Sequence, residues 1–173
     1  MKKQLFNLVA IFLIAGFSNN AMAQVTASAT ATATIVAPIT IVNAGDMNFG
    51  NVAVQASTAG TVILAPAGSR TRTAGVTLPA TAGTVAQAIF TVGGTAGYTY
   101  AITLPSTDYT ITRVSNSETM IVNTFTSSPD ATGTLTGGGS ETLNVGATLN
   151  VSAAQVPGVY TNATGFDVTV NYN

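Results

Sequence analysis

From residue 25 to residue 41 every odd position is apolar: Val25, Ala27, Ala29, Ala31, Ala33, Ile35, Ala37, Ile39 and Ile41. The even positions from Thr26 to Thr34 are all Thr or Ser. A period of two puts every apolar side chain on one face of an extended strand and gives no stripe to a helix. Such a strand carries unpaired N–H and C=O groups along its edge, so it needs a sheet to join. Two partners are open to it: the first sheet of its own domain, or the sheet of a neighbouring copy. Pro38 has no N–H to donate and marks a strand end or bulge. The expected division is therefore an arm over 24–37 and a domain over 38–173, whose own first strand follows the proline.

Ahead of the arm, Lys2 and Lys3 precede an apolar run over 5–17 broken by Asn7, and Ala21 and Ala23 supply small residues at the end. That order reads as a secretory signal peptide over 1–23, cleaved before Gln24. The run is too short to span a bilayer, and no later segment is long and apolar enough to do so. No Cys follows it, so a lipid anchor has no attachment point. The expected location is outside the cytoplasm: the periplasm in transit, then the cell surface or an extracellular fibre.

About 150 residues then remain, enough for one domain. Beyond the signal the bases are Arg70, Arg72 and Arg113, set against Asp46, Asp108, Glu118, Asp130, Glu141 and Asp167. A weakly acidic chain with so few bases does not attract nucleic acid. The same stretch has no Cys, His, Lys or Trp. Disulfides, lysine isopeptide crosslinks and the usual zinc, iron and copper ligands are thereby excluded. A polymer of this chain needs non-covalent joints.

Short alternating segments follow, separated by turn residues. Residues 47–54 read as a strand interrupted at Gly50, and 60–65 with 72–78 as a hairpin around Pro66–Ser69. Further strands are expected over 85–92, 98–104, 109–114, 119–126, 143–151 and 166–172, with turns at Gly93-Gly94, 115–117 and 137–139. Strands at this spacing, with no sustained helical period and no fixed repeat, predict an all-β fold: a single antiparallel, immunoglobulin-like or pilin-like β-sandwich with an extended N-terminal strand. An eight-stranded outer-membrane barrel fits the length, but the sequence has no Trp and no two aromatic girdles.

Chemistry has little to work with. No His means no Ser-His-Asp or Cys-His pair. The six acids are scattered over turns and polar strand faces, where they solvate loops and guard sheet edges. Asp130 with Ser127, Ser128 and Thr132 offers oxygen atoms for calcium, without the regular acidic spacing of a calcium motif. Gly93-Gly94 and 137–139 lack a following helix and a Lys, so they are turns rather than phosphate cradles. Arg70 and Arg72 either keep an exposed edge soluble or meet an acidic glycan. The expectation is no enzyme and no cofactor.

The two chain ends hold the better candidates. Val25, Ala27, Ala29, Ala31, Ala33 and Ile35 form the face of a donor strand, and Phe166, Val168, Val170 and Tyr172 the strand beside an acceptor groove. The matching stretches 33–39, 46–50, 145–149 and 166–173 resemble the secreted bacterial family called domain of unknown function 4402. The segment 157–160 is similar to spore-coat U and pilin-like proteins. Subunits of chaperone–usher pili share the layout of an alternating arm and a Tyr near the end of the last strand, here Tyr172, although the pilin disulfide is missing. The resemblance implies secretion and a β-sandwich. The expected function is a structural subunit of a pilus-like or surface-coat fibre that polymerises with copies of itself by strand complementation. Its expected helpers are a periplasmic chaperone and an outer-membrane assembly protein. The alternative is a self-contained secreted binding or adhesion module, with Tyr98, Tyr100, Tyr109 and Tyr160 as its sugar-stacking residues.

Overall fold

The computed structural model describes residues 24–173, and the expected signal peptide lies outside them. Residues 24–39 belong to no strand ladder, and every side chain from Gln24 to Thr34 is exposed. The first ladder strand starts after Pro38: β1 (Thr40–Gly45), followed by β2 (Asn48–Phe49), β3 (Ala53–Val54), β4 (Gly60–Leu64) and β5 (Arg70–Arg72). Next come β6 (Val76–Thr77), β7 (Val85–Ala86), β8 (Ala88–Gly93), β9 (Thr99–Thr103) and β10 (Tyr109–Arg113). The chain closes with β11 (Thr119–Ser128), β12 (Thr132–Thr134), β13 (Ser140–Val151), β14 (Tyr160–Thr161) and β15 (Thr169–Tyr172). The described residues are all-β and every pairing is antiparallel, as expected.

The large sheet runs β1-β8-β13-β11-β10-β14, with β4 and β5 attached to β13. β13 is its spine. The first half of β13 pairs with β8, from Ser140↔Gly93 to Val145↔Ala88, and its second half pairs with β4, from Ala147↔Leu64 to Val151↔Gly60. The change of partner falls at Gly146, where an added Cβ would run into the Leu64 carbonyl oxygen. Only glycine lets the two backbones approach this closely.

Two apolar clusters lie against this sheet. Val92, Tyr100, Leu135, Leu143, Val145 and Val170 form the first, covered by the second sheet β12-β9-β15. Val62, Val76, Val122, Ala147, Leu149 and Val151 form the second. Its cover comes from two ribbons, β2-β7 and β3-β6, each only two residues long on either side. Strands this short span a fraction of the sheet beneath them.

The expected strands over 47–54 and 72–78 are both broken. Gly50 takes φ +66° between β2 and β3, and Ala74 takes φ 46° between β5 and β6. The kink at Gly50 inserts a residue, so Met47 and Phe49 before it and Val52 and Val54 after it all face the second cluster. β12 and β14 carry too little alternation to stand out from the turns around them.

Candidate functional site: an apolar groove over the second cluster

The incomplete cover leaves a groove of about 1030 Å3. Val122, Leu149 and Val151 form its buried floor, with Ile111 and Met120 half-buried beside them. One wall is the segment from Asp46 to Val54, and the other runs from Gln155 through β14 to Phe166. The floor is apolar, while the walls add polar side chains that include Asp46, Asn48, Asn51, Gln155 and Asn162; an apolar strand face fits such a floor.

Each wall is fixed from behind. The Arg70 guanidinium donates to the Phe49 carbonyl oxygen and, at 3.1 Å, to that of Asn51. The Asn51 N–H donates to Ala82 O at 2.7 Å. Arg72 donates to Val76 O at 3.0 Å. Both arginines are therefore engaged with backbone at the sheet edge. Opposite, Tyr160 and Thr161 pair with Arg113 and Thr112, and Arg113 makes a two-pronged ion pair with Glu118, at 2.9 and 3.0 Å. The Arg113 guanidinium holds the Glu118 carboxyl below the usual carboxylate range. Tyr109 donates to Asn162 O at 3.3 Å, and its burial pushes its hydroxyl up.

Unpaired backbone borders the groove. Ala53 and Val54 pair with Thr77 and Val76, and the Gln55 N–H bonds Gly75 O at 2.9 Å. Antiparallel ladders alternate in direction, so the N–H and C=O of Val54, a groove-lining residue, turn away from β6. At this end the walls are tied together, because the Ala154 N–H donates to Gln55 O at 3.1 Å. At the other end Phe166 packs on Phe125, Tyr109 and Phe90, with centroids 4.9, 5.8 and 6.4 Å away.

Of the four residues expected beside an acceptor groove, Phe166 lines this one. All four, Phe166 included, pack on the first cluster. The strand of Val170 and Tyr172 is the end strand of its sheet. Asn173 N–H bonds Thr99 O, which turns the backbone groups of Val170 and Tyr172 away from β9. Of the expected donor residues, Val25, Ala27, Ala29, Ala31 and Ala33 are exposed and unladdered, and Ile35 is 96% exposed. The wall from Met47 to Val54 was not anticipated as part of a site. Its signal is visible in the sequence as two alternating pairs, Met47/Phe49 and Val52/Val54, reset by Gly50.

Other candidates fall into structural roles. Tyr100 is fully buried and donates to Glu141 Oε2 at 2.7 Å, Tyr98 stacks edge-on against Tyr172, and Tyr109 and Tyr160 line the groove. Asp108 and Asp46 accept from Asn123 and Asn43. Asp130 is exposed, and among the described residues no three His, Cys, Asp or Glu side chains converge on a point where a metal could bind. No helix among them is long and apolar enough to cross a membrane.

Fold and groove together define a class: an antiparallel β-sandwich with one half of its core incompletely roofed. Residues 39–172 match the family described as Domain of unknown function (DUF4402), and the chain belongs to that family. No curated protein and no solved structure matches it.

Proposed function

We propose that this chain is a secreted structural subunit of a pilus-like or surface-coat fibre, in which residues 25–35 of one copy lie in the groove of the next. The observation that carries the reading is the groove itself, whose floor is the buried second cluster and whose wall includes Val54, with backbone groups that β6 leaves unpaired. The arm supplies the missing half: one apolar face, an unpaired backbone and no charged side chain. Adding a strand covers the floor and completes the ladder at once. Alanine methyls contribute about 0.8 kcal/mol each when buried, so Val25 and Ile35 supply most of the side-chain term. Until an arm arrives the half-buried Ile111 and Met120 beside the floor stay open to water, which gives a periplasmic chaperone and an outer-membrane assembly protein their part.

Unboiled and boiled mature protein, run on SDS gels beside a deletion of residues 24–34, tests this reading. The expected result is a ladder that collapses on boiling and is missing from the deletion. A single monomer band in every lane, or an undiminished ladder from the deletion, overturns it.

A further inference from the structure

The groove has two distinguishable ends, and three exposed valines cluster at one of them. Where Gln55 is tied to Ala154, the lip of the groove is the segment from Gln155 to Val159. Val156 and Val159 on that lip are 40% and 70% exposed. Val114, 52% exposed, is joined to Val159 by a backbone hydrogen bond of 2.9 Å. Clustered exposed valines of this kind mark a contact surface. A strand lying in the groove has to rise over this lip to leave it. The other end, at Asp46 and Phe166, has no such patch among the exposed large apolar residues.

The segment that would dock has matching features. Ile35 is the most exposed large apolar residue of the described chain. Two residues later the backbone is clasped to its own domain. Ala37 N–H donates to Thr95 Oγ1 at 2.9 Å, Thr95 N–H donates to Tyr172 Oη at 2.7 Å, and the Tyr172 hydroxyl donates to Ala37 O at 3.0 Å. Ile35 therefore stays beside the body of the donor copy, and whatever covers Ile35 also meets that body. The wall from Asp46 to Val54 is nine residues and kinked at Gly50, while the arm from Val25 to Ile35 is eleven, up to roughly 36 Å when extended, so a strand starting at Asp46 carries Ile35 past Val54 to the lip. A strand filling the wall has little slack left, so the two bodies abut at the lip.

Resting on the strand-complementation reading, we infer that the arm of a second copy enters with a fixed direction: Ile35 on the Val114–Val156–Val159 lip, and Val25 at the Asp46–Phe166 end. The arm then runs parallel to the Asp46–Val54 wall and antiparallel to the Tyr160–Phe166 wall. The lip is the surface on which the donor body sits.

The chain has no cysteine among its 173 residues, so introduced pairs report contacts without background. A disulfide forms only when the two Cα atoms come within about 7 Å. Copies carrying Ile35→Cys are mixed with copies carrying Val159→Cys, assembled, oxidised, boiled and run without reductant. A second mixture pairs Val25→Cys with Asp46→Cys, and a third pairs Val25→Cys with Val159→Cys. The expected outcome is covalent dimer in the first two mixtures, about tenfold above the third. Dimer in the third mixture alone reverses the direction and overturns the inference, while the function reading stands. An unboiled ladder with no crosslink in any mixture places the arm elsewhere and also overturns it. A wild-type chain that forms no ladder removes the function reading itself.

Discussion

The two halves of the sandwich rest on the same spine strand and differ in what lies above it. Over the first half of β13, the five-residue strand β9 and its neighbours β12 and β15 cover Leu143 and Val145, leaving both with no exposure. Over the second half, Leu149 and Val151 are nearly as buried, yet their cover sits on ribbons of two paired residues, where Val76 is buried but Phe49 and Val54 are only half-buried. The apolar content of the two floors is alike. The difference is the cover. One half is a finished core and the other is a core roofed by two short ribbons beside an open groove.

The largest effect that tests this contrast comes from truncating each half. Leu143→Ala is expected to cost about 2–5 kcal/mol of unfolding free energy, the range for a filled core site that cannot collapse. Ile111→Ala, on the groove floor, is expected to cost under about 1.5 kcal/mol, because its side chain loses fewer neighbours. Urea unfolding of both variants measures the pair. Equal costs would mean the second half is as closed as the first.

Filling the groove sharpens the comparison further. A synthetic peptide of residues 24–37, added to protein lacking 24–34, is expected to raise stability by about 2.7 kcal/mol at a hundredfold excess over its dissociation constant. The Ile111→Ala cost should then grow, while the Leu143→Ala cost stays where it was, since distant sites remain additive. Calorimetry with and without peptide reads both. A peptide that leaves the melting temperature unchanged in both variants breaks the link between groove and arm.

The finished half is largely legible in the sequence. Tyr98 to Leu104 alternate cleanly, and so do Leu143 with Val145 and Phe166 to Tyr172, because each strand buries one face against a continuous sheet. The grooved half is harder to read because its walls break the period. The segment from Met47 to Val54 looks like one interrupted strand, and only the φ of +66° at Gly50 shows why four apolar residues on mismatched parity share a face. The last strand illustrates a second limit. Periodicity shows that Phe166, Val168, Val170 and Tyr172 point inward together, but it carries no information about which cluster receives them. All four pack on the first cluster, and Phe166 also lines the groove end. Pairing partners depend on the path of the chain between strands, and that path runs through glycine-rich and Thr-rich turns with no periodic signal.

The two halves also differ in the pH at which they weaken, and this contrast should be the finer one. In the finished half the Tyr100 hydroxyl is buried and bonded to Glu141, and burial first, then that bond and the carboxylate charge, push its pKa well above the ordinary value. A group whose neutral form is favoured by folding contributes stability that is complete below its unfolded pKa of about 10 and is lost as pH rises through the folded value. Stability should fall from about pH 10 upward, and Tyr100→Phe should flatten that slope while lowering stability at neutral pH, because Glu141 loses a donor. Under the groove wall the sign is opposite. The hydrogen bonds from Arg113 depress the Glu118 pKa, so that pair's contribution is complete above the unfolded carboxylate value of about 4.3 and is lost as pH falls through the folded one. The pair is partly open to water, which makes its effect the smallest here. Glu118→Gln should therefore remove a shallow acid-side slope between about pH 5 and pH 2 and leave the alkaline slope intact. Urea midpoints of the parent and both variants, followed from pH 2 to pH 11, separate the two groups. A parent whose acid slope survives Glu118→Gln unchanged would show that the Arg113 pair does not hold the groove wall.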